Sequence, residues 1–260
     1  MKRETTMKIF LPLAMFGIFL LFWAGLANGI EDFPSPTDTY ERALEVFEDP
    51  FYVESEDDMG IFWQVLNSLG RVFGGFLLAA LIGIPIGLAV GMSKNVYYAL
   101  NPYIQILKPV SPLAWLPLAL FVFKDIDTTA IVVIFLTSIW PIIANTALGV
   151  QNVSEDYMNV AKVLRFTNLE IVRKIILPVA VPYIFTGLRL SLGIAWLVIV
   201  AAEMLTGGIG IGFWIWDEYN NLNYTNIIIG IFIVGNVGYI LDAIMGWIAD
   251  KFDYRKRGNV

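Results

Sequence analysis

The chain has 260 residues, of which 57% are hydrophobic and 15% charged, and its formal net charge is −6. Soluble domains are about 45–50% apolar, and the excess here is concentrated in blocks of about 20 residues, the length that crosses a bilayer as a helix. Cysteine and histidine are both absent, which excludes metal sites and nucleophile pairs that depend on them. The composition predicts an all-α integral membrane protein.

Residues 1–60 are predicted to be a unit of their own, an apolar helix followed by an acidic segment. Residues 9–27 carry no charge and predict a first membrane helix. A signal peptide is the alternative, because residues 25–27 offer a small-x-small cleavage pattern, but the run is long for a signal core and favours a retained helix.

The acidic segment, residues 28–60, holds eleven acidic residues against one basic residue, Arg42. One interpretation is a solvated stretch with a short helix near residues 39–47. The other is a docking surface for a partner outside the membrane. The sequence leaves both open.

Residues 61–260 are predicted to form the membrane domain, with five further spans at residues 61–92, 101–123, 128–150, 182–205 and 227–249. Gly83, Gly87 and Gly91 form overlapping G-x-x-x-G patterns, which let helices pack closely in lipid. The third of the six spans contains four prolines and is expected to be kinked. Residues 206–226 are predicted to be a loop rich in glycine, tryptophan and asparagine.

Basic residues orient the spans, because they are enriched on the cytoplasmic side. With the N-terminus inside, twelve of the 17 basic residues fall in cytoplasmic pieces, whereas the outer pieces hold only Arg42 and Lys124. We therefore predict a multi-pass protein of the bacterial inner membrane with both termini in the cytoplasm. The acidic segment then lies outside and residues 151–182 lie inside.

Residues 151–178 are too polar for lipid and too regularly patterned for a slack loop. Ser154 is a predicted N-cap, and Glu155 and Asp156 are the acidic residues favoured in a first helical turn. An apolar face follows at helical spacing, formed by Tyr157, Val160, Ala161 and Leu164. Thr167 and Glu170 form a capping box that starts a second helix, which Pro178 and Pro182 are expected to end. Such a helix could fill a groove on a soluble partner or lie on the membrane surface.

This segment resembles the coupling loop of permease subunits of ATP-binding-cassette (ABC) importers. That motif is Glu-Ala-Ala, three residues, Gly, nine residues, Ile-x-Leu-Pro, and its spacing is matched from residue 159 to Pro178. Asn159, Val160 and Arg165 stand where the motif has Glu, Ala and Gly. The glycine serves a turn with positive φ, which costs another residue of order 1 kcal/mol. Arg165 therefore either adopts that turn or replaces it with another.

Further stretches are similar to the nitrate, sulfonate, taurine and bicarbonate branch of these importers: residues 177–189 (LPVAVPYIFTGLR), residues 201–204 (AAEM) and residues 111–118 (SPLAWLPL). Residues 207–217 (GGIGIGFWIWD) are most similar to its cyanobacterial nitrate and bicarbonate subgroup.

The resemblance implies a type I importer (MetI-like) permease fold and a pathway formed by two copies of the chain. It also implies two cytoplasmic ATPase subunits or domains, which would hold ATP and Mg²⁺, and a lipid-anchored binding protein outside. On this interpretation the chain is a transport subunit, has no cofactor of its own, and contacts membrane lipid and no nucleic acid.

Charged residues within the spans are candidates for the pathway or for gating. Arg71, Lys108 and Arg189 could each attract an anion such as nitrate, nitrite, bicarbonate or a sulfonate. Alternatively, cations of this set form structural ion pairs, for example with Glu203 or Asp242. Gly208-x-Gly210-x-Gly212 lacks the lysine and the setting of a nucleotide loop. An ATP-independent channel or carrier and a non-transporting scaffold remain alternative functions.

Overall fold

The structure is a computed structural model that describes residues 2–55 and 58–252, without the side chains of residues 2–6 and 9. The predicted cations of the C-terminal tail, Arg255, Lys256 and Arg257, lie outside the described residues. So do Glu56 and Asp57 of the acidic segment.

The described residues are largely helical, with one isolated bridge between Val53 and Met59. The helices are α1 (Lys2–Gly29), α2 (Pro36–Val46), α3 (Ile61–Met92), α4 (Lys94–Leu107), α5 (Pro112–Phe123), α6 (Ile126–Gln151), α7 (Glu155–Val163), α8 (Asn168–Ile171), α9 (Leu177–Thr206), α10 (Ile211–Asn220) and α11 (Tyr224–Phe252). A π-helical turn, Val172–Ile176, joins α8 to α9.

Glycines on one face of α3 bring it against α6. A Cβ at Gly75 would lie 2.6 Å from the Cβ of Ile134, and one at Gly91 would lie 2.5 Å from the Cβ of Val150. Gly87 meets Thr146 in the same way. The predicted close-packing face is therefore confirmed. Residue numbers increase in the same direction along both helices at these contacts, so α3 and α6 run parallel.

The kink predicted in the third span, residues 101–123, is confirmed, but it is a full break, and the span begins earlier, at Lys94. Helices α4 and α5 meet at 95° around a break at residues 108–111. Pro109 and Pro112 lack the N–H groups that would continue the helical ladder there. Because α3 and α6 are parallel, the bent pair must return the chain from one end of the bundle to the other. Among the described residues five helices are long and apolar enough to span a membrane, and the bent pair makes the predicted six.

Helix α9 runs antiparallel to both of its main neighbours. Gly187 lies against Asn145 and Pro141 of α6, while Trp196 donates a hydrogen bond from Nε1 to the carbonyl of Val234 in α11 at 2.9 Å. The expectation that Pro178 and Pro182 end the helix is wrong. Residues 168–206 form one continuous helical path. Pro178 is tolerated because it lies in the first turn of α9, and the π-helical turn before it accommodates the change in hydrogen bonding.

These directions sort the elements to two ends of the bundle. One end, the α7 end, holds the last residues of α3, α6 and α11 and the first residues of α9. The other, the α2 end, holds α2, α10 and the last turn of α9. The prediction that residues 206–226 form a loop is wrong in part, since α10 (Ile211–Asn220) lies within them. Helix α6 starts at this end with Asp125 as its N-cap. The pKa of Asp125 is lowered by hydrogen bonds from the hydroxyl and N–H of Thr128.

Gly87→Val should destabilise the chain, because the added methyl groups have no room beside Thr146. Overpacking of this kind costs about 1–3 kcal/mol. Thermal unfolding in detergent would measure the effect as a lower midpoint.

Gly70→Val is the matched control, since Gly70 lies on the same helix and a Cβ added there would meet no atom within 4 Å. Equal unfolding midpoints for the two variants would contradict the close packing of α3 on α6.

Candidate functional site

A buried polar cluster lies at the α2 end, between α3, α6 and α9. Glu203 is only 1% exposed and sits in the last turns of α9. Its Oε1 accepts a hydrogen bond from Arg71 Nη1 at 2.7 Å, and Ser68 Oγ lies 2.9 Å from both carboxylate oxygens. Arg71 Nε is paired in turn with Asp127 at 2.7 Å. A buried charge left alone would cost several kcal/mol, so the pairing is needed for folding.

The same cluster holds the glycine-rich loop, residues 207–210, and the start of α10. Gln64 Oε1 accepts from the N–H of Gly210 at 2.7 Å, and Ser68 Oγ accepts from Ile211 at 3.0 Å. Arg71 donates to the carbonyl of Ile209, and Glu203 accepts from the N–H of Gly212 at 3.0 Å.

Gly210 has to be glycine, because a Cβ there would lie 2.3 Å from the Glu203 carboxyl carbon. The loop predicted not to bind nucleotide is thus a structural strap on α3 and α9. Among the described residues no group of acidic side chains is arranged to hold a metal ion.

This cluster corrects the expectation, drawn from the sequence, that Arg71 starts the second span on its outer side. Arg71 is not at the start of its span but buried well inside α3, with two carboxylates beside it. It has no excess positive charge to offer an anion. The structural ion pair considered as the alternative for these cations is formed, between Glu203 and Arg71. Gln64 and Ser68 were missed, although Gln64, Ser68 and Arg71 recur at i, i+4 and i+7, a polar helical stripe that the sequence shows.

Arg189 forms its ion pair with Asp242 of α11, the other carboxylate considered. The guanidinium donates from Nε and Nη2 to both carboxylate oxygens, a fork geometry that is among the stronger ion pairs. Both side chains are about half exposed although they lie within apolar spans. Arg189 borders a cavity of about 610 Å³ that Pro182, Tyr183 and Gly246 also line. An ion pair at this depth is costly against lipid, so this face must meet water or protein.

Lys108 differs from the two arginines. It is the C-cap of α4 at the bend before α5, and it is exposed. Within the part of the chain that the structure describes, its ammonium makes no ion pair or hydrogen bond. Of the three cations nominated for the pathway, Lys108 therefore keeps its charge uncompensated.

Residues 151–178, which resemble the coupling loop and are called the coupling segment below, lie at the α7 end and have the predicted caps. Ser154 Oγ accepts from the N–H of Asp156, and Glu155 and Asp156 lie in the first turn. The Thr167–Glu170 capping box is formed. Arg165 has φ of 54°, so it adopts the turn that the family's glycine serves. The hydrogen bonds from Arg165 to Lys162 and from Phe166 to Ala161, at 3.1 and 2.9 Å, are those of a Schellman helix end.

The exposed face of α7 differs from the predicted one at two residues, Ala161 and Val163. Ala161 is fully buried and points into the protein. Tyr157, Val160 and Leu164 are more than half exposed, and Asn159 is exposed beside them. Val163 adds to this face as the most exposed of its apolar side chains, at 82%. The coupling segment therefore presents a continuous apolar surface away from the membrane helices.

A family model for the "binding-protein-dependent transport system inner membrane component" matches residues 83–258. This match covers more than half of the chain. The chain belongs to this family. It is therefore a multi-pass permease subunit of an ABC importer. Membership of this family implies, in general, that the chain works with a substrate-binding protein and an ATPase.

Relatives of this permease match nearly its whole length. The nitrate import permease protein NrtB of Leptolyngbya laminosa is 47% identical over 95% of this chain and 88% of its own. The bicarbonate transport system permease protein CmpB of Synechocystis sp. is also 47% identical, over 88% of this chain and 84% of its own. The taurine transport system permease protein TauC of Escherichia coli is 31% identical over 80% of this chain and 74% of its own.

Solved importers share the permease's fold. A chain of the inward-facing MetNI methionine ABC transporter superposes with a TM-score of 0.62 and 17% identity, over 74% of this chain and 95% of that one. A chain of an amino acid ABC transporter with histidines superposes with a TM-score of 0.60 and 16% identity, over 84% of this chain and 97% of that one. The predicted MetI-like fold is confirmed.

Arg71→Met should destabilise the permease strongly, because Glu203 would stay buried without its cation. Removing one member of a buried pair costs about 3–5 kcal/mol. The unfolding midpoint in detergent would report the loss. Lys124→Met is the control, since Lys124 is an exposed cation at the same end.

The double variant Arg71→Met with Glu203→Leu should recover part of the stability, because neither charge remains buried. A double variant less stable than Arg71→Met alone would contradict this account of the pair.

Proposed function

We propose that two copies of this permease form the pathway of an ATP-driven importer for a small inorganic anion, with nitrate or nitrite as first substrate and bicarbonate as second. Two cytoplasmic ATPase subunits or domains bind the exposed face of α7. A lipid-anchored binding protein delivers the anion at the α2 end. The α7 end then faces the cytoplasm, together with both termini.

The observation that carries the proposal is the surface of α7. Tyr157, Val160, Val163 and Leu164 expose apolar side chains on a capped helix, at the end where the basic residues collect. Exposed apolar side chains in such a patch mark a protein contact. Lys162, Arg165 and Arg173 at the same end support a cytoplasmic orientation. ATP binding would move α7 and shift the spans between inward- and outward-open states.

The pairing of the membrane-domain cations supports an anion as the substrate and suggests where that anion passes. Arg71 and Arg189 are each held by carboxylates, which leaves Lys108 to attract an anion at the α4–α5 bend. A cation next to a low-dielectric wall raises the local anion concentration. Asp242 and Arg189 then set the architecture or the gate of the face they border.

The choice among anions rests on relatives, because those named for nitrate and for bicarbonate are both up to 47% identical to this chain. Uptake of nitrate, nitrite, bicarbonate and taurine by the reconstituted complex, with ATP and with a hydrolysis-blocked analogue, would decide. Uptake that continues without any ATPase subunit would overturn the coupled mechanism and favour a channel or carrier.

Leu164→Asp should abolish co-purification of the ATPase subunits while the permease still inserts. A charge on a central apolar contact costs about 2 kcal/mol or more, roughly thirtyfold in affinity. A pull-down from detergent extracts measures how much ATPase co-purifies with each variant. Ala161→Arg is a poor test, because Ala161 is buried and the change would disturb packing first.

Leu222→Asp is the control: Leu222 is an exposed leucine at the α2 end with φ of 58°, a conformation that aspartate tolerates. Normal co-purification by Leu164→Asp would remove the docking role of α7.

Lys108→Gln should lower the apparent affinity for the anion about tenfold, because steering by a single cation is lost. ATP-dependent uptake at several anion concentrations measures this. Lys94→Gln is the matched control, since Lys94 is an exposed cation at the other end of α4. Similar uptake by both variants would remove Lys108 from the pathway.

A further inference from the structure

An apolar groove lies between α1, α2 and α11 at the α2 end. It is lined by Trp23 of α1, Tyr40 and Ala43 of α2, and Phe232, Ile233 and Val237 of α11. We call it the outer groove. Its volume of about 460 Å³ lies in the range of sites that bind small organic ligands. The amide of Asn236, also in its wall, already donates to the carbonyl of Phe232 at 2.8 Å.

The groove exists because α1 stands away from the other spans. Trp23 is the buried side chain of the described part of α1, at 8% exposure. Its Nε1 donates to the carbonyl of Pro34 at 2.9 Å, and its ring lies 5.9 Å from that of Phe232. The gap beside this anchor lies between two candidate membrane spans, Phe10–Gly29 and Tyr224–Phe252.

The surroundings decide what fills the gap. Water would find little to bond to among the described residues of the lining, and an apolar cavity of this kind stays dry. An empty gap would forfeit the dispersion contacts of its walls. A helix is about 10–12 Å across, so even 10 Å of its length would need roughly 800 Å³, which is more than the groove holds. A flexible acyl chain from the adjoining bilayer meets no such limit.

The charge of the groove's rim favours one class of lipid. Helix α2 turns Ala43 and Tyr40 into the groove, while Asp38, Glu41 and Glu45 project elsewhere. Arg42, the basic residue of this segment, is already bonded to Glu45 and to Asn226. An anionic headgroup would be repelled by the carboxylates, whereas a choline or ethanolamine cation would be attracted.

We propose that the outer groove binds one acyl chain of a zwitterionic phospholipid, whose headgroup lies beside the acidic face of α2. The lipid fills the space between α1 and the bundle and thereby fixes α1 to the transporter. This site is independent of the transported anion and of α7.

Native mass spectrometry can count the lipids that stay bound to the full-length permease after extraction from phosphatidylcholine nanodiscs. The wild type should retain one phosphatidylcholine more per chain than Ala43→Phe, which fills the groove. Leu44→Phe should retain it like the wild type, because Leu44 is 57% exposed and outside the groove lining. Equal retention by all three proteins would overturn the proposal.

A second variant covers the case in which Ala43→Phe does not fold. The chain has no cysteine, so Ala43→Cys can be labelled with a bulky maleimide after purification. Labelling should expel the bound lipid. Retention after complete labelling would overturn the site. A disulfide that joins two copies of this variant through the introduced thiol would also overturn it, because another permease would then cover the groove.

The headgroup assignment has its own test in nanodiscs of phosphatidylglycerol. The wild type should retain at least fivefold less lipid from these discs than from phosphatidylcholine, because the carboxylates of α2 repel the anionic headgroup. Equal retention of the two lipids would overturn the headgroup assignment.

Discussion

The contact between α3 and α6 is the constraint on which the rest of this permease depends. In a bilayer there is no hydrophobic drive between helices, so association relies on close packing. Gly75, Gly87 and Gly91 give that packing along the length of both helices. Because the two helices are parallel, the chain must cross back between them, and the bent pair α4–α5 does so. The position of α7 at one end and α10 at the other follows from this direction.

Charge compensation distinguishes the three membrane-domain cations from one another. The Arg71–Glu203 pair is buried, and it ties a surface loop to two spans because Arg71 donates to the carbonyl of Ile209 and Glu203 accepts from the N–H of Gly212. The Arg189–Asp242 pair is open, and it marks a face of α9 and α11 that lipid cannot cover. A cation without such a partner is a different kind of group, since its field is not cancelled at short range. Lys108 is in that position.

Patterns that depend on local physics could be predicted from the sequence. Hydropathy located the spans, the glycine stripe on α3 indicated its packing face, and Ser154 and Thr167 marked helix starts. The resemblance of the coupling segment and of residues 177–189 indicated the family. The positive φ of Arg165 was expected for the family's glycine and left open for arginine, and the structure shows that the turn is kept.

The remaining features depend on tertiary contacts that no local pattern carries. The prolines of α4 and α5 predicted kinks but not a 95° break. Residues 206–226 were predicted to be a loop from their glycine, tryptophan and asparagine content, yet residues 211–220 form a helix whose start is held by Gln64, Ser68 and Glu203. Ala161 belongs to the apolar face of α7 by spacing, but the direction of that face depends on where the membrane helices lie. Asp127 could be recognised as a partner of Arg71 only once α3 and α6 were side by side.

The π-helical turn at Val172–Ile176 has a mechanical consequence. It makes α8, the turn and α9 a single rod of 39 residues, roughly 55 Å long at about 1.5 Å per residue. One tip of that rod adjoins the coupling segment, and the other carries Glu203 and the strap on the opposite face of the membrane. A tilt imposed at the first tip is therefore felt at the second without passing through any loop. The π-helical turn is the place where such a rod can yield, so its stiffness limits how far any tilt at one tip is carried to the other.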